Sequence, residues 1–200
     1  MNPKKWLRVG SIFGSVVALT FVVAVMAPGA AQGGQALGHN VRWDLVLLQP
    51  PGSPTTALAG GSNIGRDAAT GDTVELTGSG NAIPAPGDAA GGGTFVHRHA
   101  DRSEVAHGFY LVAGFVSWQR RTGTFPLPND GIGHASQASA GLLSLNVRFF
   151  PSDGSPVDGV LTIHCHFPDT PGPGDEGISL VIGPFNFVQA GGVTVFHVFK

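Results

Sequence analysis

The sequence predicts an all-β protein of about eight antiparallel strands, folded as a small barrel or jelly-roll sandwich behind an N-terminal signal segment. Three observations carry this. Apolar residues recur with period 2 from Val41 to the C-terminus. Turn formers, 31 Gly and 15 Pro among 200 residues, punctuate those runs at short spacing. No stretch beyond residue 31 shows a convincing helical period. A sheet without helices to cover it must bury its apolar face against another sheet or close on itself.

The elements follow in chain order. Lys4, Lys5 and Arg8 precede an uncharged apolar run from Val9 to Met26, and Gly29-Ala30-Ala31 then supplies small residues before Gln32. Basic, apolar and small-residue regions in that order are the parts of a secretory signal, so residues 1–31 are expected as a signal peptide. The expected location is therefore outside the cytoplasm, secreted or associated with the cell envelope. The apolar run is close to the roughly 18 residues that can span a membrane, which leaves retention as an anchor as the alternative. No span is expected in the mature chain.

Residues 32–40 are a Gly-rich, flexible leader, and 41–200 are expected to form a single β-domain. Val41–Leu48, Asp72–Thr77, Gly93–His99 and Glu104–Gln119 are the first four strands. The last of these is apolar on both faces, with Phe109, Leu111, Ala113 and Phe115 on one and Tyr110, Val112, Val116 and Trp118 on the other. It should bend or be buried on both sides. Leu143–Phe149 and Leu161–Phe167 alternate cleanly and place Leu145, Val147, Leu161, Ile163, Cys165 and Phe167 in the core. Gly177–Phe187 and Gly192–Phe199 complete the set. Gln49–Gly71 and Gly78–Gly91 read as loops, and Thr122–Gly141 as a long, lid-like connection.

Charge and cysteine content exclude several classes. Three of the eleven Lys and Arg belong to residues 1–31, whereas all thirteen Asp and Glu lie beyond, so the mature chain carries eight basic against thirteen acidic residues, a net of −5. A nucleic-acid partner would require the opposite sign. One cysteine forbids an internal disulfide, and the core alone must hold the fold. Cys165 shares the core face of its strand and cannot meet His164 or His166, which point to the other face; it is expected to be an inert buried thiol. No G-x-S-x-G elbow, phosphate loop or acidic calcium loop is present.

The most chemically suggestive run is Gly91-Gly92-Gly93-Thr94-Phe95-Val96-His97-Arg98-His99, followed by Glu104. Histidines at i and i+2 of a strand point the same way, roughly 7 Å apart. Glu104 could then complete a His₂-carboxylate set for a divalent metal, Fe, Mn or Zn, with His107 or His197 as a third imidazole. The glycines are expected to serve a tight turn or bulge.

The pattern Gly91…His97-x-His99…Glu104 resembles the first motif of the cupin family. That resemblance implies an eight-stranded jelly roll with a metal in its mouth and His97, His99 and Glu104 as ligands. The chain departs from the family at residue 111, which is Leu where a glycine is expected, and no Pro-x-Gly turn precedes His164 or His197. A wider pattern, Gly91-Gly92-Gly93-Thr94-Phe95…His97, Leu161…Cys165, Glu176-Gly177-Ile178 and Gly192…Thr194…Phe196, resembles a group of exported bacterial β-domains. It implies export and an all-β fold and says nothing about chemistry.

Two function classes follow. One is an exported binding or structural module without catalysis, for a small apolar ligand or a cell-envelope component. The other is a cupin-like, metal-dependent enzyme using His97, His99 and Glu104. No residue is assigned a catalytic role.

Overall fold

In the computed structural model, residues 39–49, 54–172 and 174–199 are described, all within the unit Ala36–Lys200. The expected signal peptide and most of the leader lie outside them. The described chain is all-β, as the sequence predicts: thirteen strands and one short 3₁₀ turn, Ala135–Gln137.

The strands are β1 (Asn40–Leu48), β2 (Thr56–Ala59), β3 (Ser62–Asp67), β4 (Thr73–Thr77), β5 (Ser79–Ile83), β6 (Asp88–Arg98) and β7 (Glu104–Arg121). β8 (Asn129–Asp130), β9 (Ala138–Pro151), β10 (Val157–Cys165), β11 (Gly177–Ile182), β12 (Phe185–Gly191) and β13 (Val193–Phe199) follow. Five exceed the expectation. β2, β3, β5 and β8 lie in segments read as loops, because their Gly, Ser, Asn and Ala content hides a short strand whose pairing is supplied by neighbours. The fifth arises where Gly183-Pro184 breaks Gly177–Phe187 into a hairpin.

Two closed circuits of antiparallel pairs share the long strands. β3, β4, β6, β7, β9, β10, β11 and β12 each pair with the next, and β12 pairs back onto β3. The lower parts of β6, β7 and β9 continue into a second circuit through β13, β1 and β5. Because the first circuit runs in chain order, its four hairpin turns (68–72, 99–103, 152–156 and 183–184) all lie at one end.

Side-chain alternation sets the core. Leu143, Leu145, Val147, Phe149, Leu161, Ile163, Cys165 and Phe167 are all buried, in the expected register. β7 does bend, through register shifts at Val112/Gly114 and Phe115/Ser117. The first bulge brings Phe115 to the inward face of Tyr110 and Val112, and the second returns Trp118 to it, while Phe109 and Leu111 are exposed.

The triple glycine forms no turn. It lies inside β6, where the strand exchanges β4 for β5 as its partner. A Cβ on Gly93 would stand 1.8 Å from the Thr77 carbonyl oxygen, and one on Gly91 would stand 2.9 Å from the Trp43 ring. The crossing of strands excludes side chains there, and Trp43 fills the space so freed.

Candidate functional site

At the hairpin-turn end of the first circuit lies a cavity of about 270 Å³. It is close to the lower bound of roughly 300 Å³ for small-molecule sites. Its walls come from β4, β6, β7, β9, β10, β11 and β12, among them Val74, Phe95, Ala106, Phe149, Leu180 and Phe187. His97 is the one lining residue with a polar side chain. The alternation that buries Val74 and Phe95 turns His97 the same way, opposite Val74 on β4. Its ring packs edge-on against Phe185 at 5.1 Å and Phe187 at 5.5 Å between centroids.

The polar side of His97 meets Asp72. His97 Nε2 is 3.2 Å and His99 Nδ1 3.3 Å from the same oxygen, Asp72 Oδ2. A carboxylate oxygen accepts, so these nitrogens carry the protons, and His97 Nδ1 makes no hydrogen bond among the described residues. Asp72 side-chain exposure is 8 %, and that of His97 is 14 %, while His99 at 57 % faces solvent.

The turn that delivers Asp72 is built by Asp67. Asp67 Oδ1 accepts from the Ala69 and Thr70 amides, both at 2.9 Å, and Oδ2 accepts from the Asn186 amide of β12 at 2.8 Å. The Asn186 and Thr70 amides, with Ala69 and the Thr70 hydroxyl, outweigh desolvation and hold the Asp67 carboxyl below its ordinary value.

Glu104, the third expected ligand, does not join the two histidines. It starts β7 opposite Arg98, whose side chain leaves the strand on the other face, and it accepts from His107 Nδ1 at 2.6 Å near the surface. The bulge at His97/Arg98 and the intervening turn carry it away. His107 is occupied by that contact, and His197 lies in a different place, bonded to Asp130. Among the described residues no three His, Cys, Asp or Glu side chains are grouped to hold a metal ion. The carboxylate beside His97 and His99 is Asp72, with Oδ2 at 3.2 and 3.3 Å from their ring nitrogens.

Two further buried polar centres exist. His197 donates from Nε2 to Asp130 Oδ2 at 2.7 Å, with side-chain exposures of 0 % and 3 %. Burial pushes the Asp130 carboxyl up, but the bonds from His197, Gly133 and Ile132 prevail and hold it below its ordinary value. Asp130 lies in the segment expected as a lid. Its Oδ1 binds the Ile132 and Gly133 amides, both at 3.0 Å, so this segment is fastened over His197.

The other centre is Glu176, beside a second cavity of about 200 Å³ lined by Phe125, Leu127, His166 and Val195. Burial pushes its carboxyl up to about 7, against hydrogen bonds from the amides of His166 at 2.5 Å and Thr194 at 2.6 Å. The single Thr194 hydroxyl proton makes the shorter bond, to His164 O at 2.6 Å; a proton on Glu176 then satisfies the 3.1 Å contact between Thr194 Oγ1 and Glu176 Oε1.

Comparison with protein-family models, with curated proteins and with solved structures gives no match to this chain. The functional reading therefore rests on the site. Cys165 is buried, its thiol pushed well up by desolvation and by Glu176, as an inert core thiol should be. His164 is half-buried rather than solvated, near Ser179 Oγ at 3.2 Å, and burial lowers its pKa. Among the described residues no helix is long and apolar enough to cross a membrane.

The sequence reading missed Asp72, Asp130 and Glu176. A signal for Asp72 was present. Pairing the expected strands 72–77 and 93–99 antiparallel places Asp72 beside His99.

Proposed function

We propose that this chain is an exported, non-catalytic binding module that holds a small apolar ligand in the cavity at the hairpin-turn end. One observation carries the reading: an apolar cavity of about 270 Å³ with His97 as its single polar lining side chain. Sites for small ligands combine mostly apolar walls with few polar groups that fix orientation, and His97 held by Asp72 is such a group. Its free Nδ1 suits a hydroxyl donor on an otherwise hydrocarbon ligand. Export rests on the Lys4 to Ala31 arrangement.

The metal-dependent alternative has less support, because Glu104 pairs with His107 and the two imidazoles share Asp72. Fluorescence titration with 1-aminoanthracene, followed by displacement with n-octanol, tests the binding reading. Saturable binding that Ala106→Phe abolishes by filling the cavity supports it. Binding unchanged in Ala106→Phe contradicts it. N-terminal sequencing of protein recovered outside the cells is expected to begin near Gln32; Met1 on that protein contradicts cleavage.

A further inference from the structure

A third concavity, of about 460 Å³, lies on the outer face of the same end of the sheet, with its back to the His97 cavity. Alternation places it there: Val74 and His97 point in, so Thr73 and Arg98 point out. Arg66 on β3 stands opposite Thr73 on β4, and Thr73 stands opposite Arg98 on β6. Two guanidinium groups thus flank one threonine hydroxyl across three neighbouring strands. Arg102 and His99 from the β6–β7 turn complete the lining.

Charge is unevenly spent here. Residues 32–200 carry only eight basic residues against thirteen acidic ones, yet three of the eight line this one concavity. No carboxylate lines it. Acids of the adjoining segments are engaged: Glu75 with Arg98 at 3.1 Å, Asp101 with the Ser103 amide at 2.8 Å, and Asp72 with the two histidines. Arg66 and Arg102 make no ion pair among the described residues.

The backbone supplies an independent observation. Arg102, at φ 73°, is the one non-glycine residue with positive φ among those described. The His99 carbonyl accepts from the Arg102 amide at 2.9 Å, and the Ser103 carbonyl from the His99 amide at 2.9 Å. This is a hairpin turn whose last position adopts the left-handed conformation, where glycine or asparagine is the ordinary choice. A long charged side chain is held there against backbone preference, and it lands in the arginine-lined concavity.

We propose that this concavity is an oxyanion site, taking a soluble small molecule that bears a phosphate or sulfate group between Arg66, Thr73, Arg98 and Arg102. Guanidinium forks match the oxygen spacing of such groups, and a threonine hydroxyl adds a neutral donor. The site lies apart from the apolar cavity and does not depend on it.

The test is a titration of the protein with inorganic phosphate at constant ionic strength, followed by NMR at the arginine Nε–H and Thr73 amide signals, with chloride as control. Saturable shifts at Arg66, Arg98, Arg102 and Thr73 are expected with phosphate and absent with chloride. Arg102→Gly should weaken binding about tenfold or more, the order expected for one lost charge-assisted contact. The same variant should raise the thermal unfolding midpoint, since glycine suits that backbone, so weaker binding cannot be read as a damaged fold. Arg120→Gln, outside the concavity, should bind as the parent does. Linear, unsaturable shifts, equal shifts with chloride, or full affinity in Arg102→Gly would overturn the proposal. So would a response confined to phosphatidylglycerol vesicles with none to free phosphate.

Discussion

The pairs His97–Asp72 and His197–Asp130 use the same two side chains in opposite ways. His197 and Asp130 are sealed from solvent, and the 122–137 segment is pinned over them by the Asp130 carboxylate. His97 and Asp72 sit at the edge of a cavity, with a second imidazole on the same carboxylate and aromatic rings against His97. A buried pair closed on every side is structural. A pair that presents one imidazole to an apolar cavity is the polar handle of the proposed binding site. The chemistry of the residues does not separate the two; their surroundings do.

That contrast predicts unequal costs. Removing one partner of a buried pair costs roughly 3–5 kcal/mol, because a polar group stays behind unpaired. Asp130→Ala should show a loss of this size in urea unfolding, the more so as His197 Nδ1 is already buried without a partner. Asp72→Ala should cost only about 1–3 kcal/mol, since His99 is exposed and His97 borders the cavity. Equal losses in the two variants would break the comparison.

The pH dependence sharpens it further. Asp130 is depressed in the folded state, so its stabilisation is present above its unfolded value near 3.8 and is lost as pH falls. Glu176 is raised to about 7 from 4.5, so its contribution is full below 4.5 and lost as pH rises through about 7. The Glu176 share of stability should therefore decline between pH 4.5 and 7, by on the order of 1–3 kcal/mol at about 1.4 kcal/mol for each tenfold change in proton affinity. Glu176→Gln should flatten that slope, which equilibrium unfolding across the interval measures. An unchanged slope would detach Glu176 from it.

The smallest effect belongs to His97 itself. His97→Phe keeps an aromatic ring against Phe185 and Phe187 and leaves Asp72 bonded to His99. Unfolding free energy should change by less than about 1.5 kcal/mol, because the larger ring has the adjoining cavity to extend into and strains no packed neighbour. A loss of 3 kcal/mol or more would make His97 as structural as His197.

Legibility in the sequence followed the same division. The middle of β9, Leu143–Phe149, and the second half of β10, Leu161–Cys165, were readable residue by residue, because one face is wholly buried and strict alternation results. The strands hidden in Gln49–Gly71 and Gly78–Gly91 were not, since glycine, serine and alanine carry little preference and their pairing partners are distant. The glycine run was visible but misread: it marks a crossing against Trp43, which local sequence cannot distinguish from a turn. At the site, the shared inward face of His97 and Phe95 followed from alternation. Its carboxylate emerges only once 72–77 is paired with 93–99, a choice of partner the sequence leaves open, because Asp72 arrives from the turn before β4 while the nearer Glu104 is carried off by the β6–β7 turn.

The proposed apolar guest belongs in the His97 cavity rather than in the one beside Glu176. Methyl NMR of the protein titrated with n-octanol tests this placement most directly. Saturable shifts at Val74, Val157, Leu180 and Ile182, with Val46, Val193 and Val195 unmoved, are the predicted result. Saturable shifts confined to Val46, Val193 and Val195, or no saturable shift at all, would contradict it.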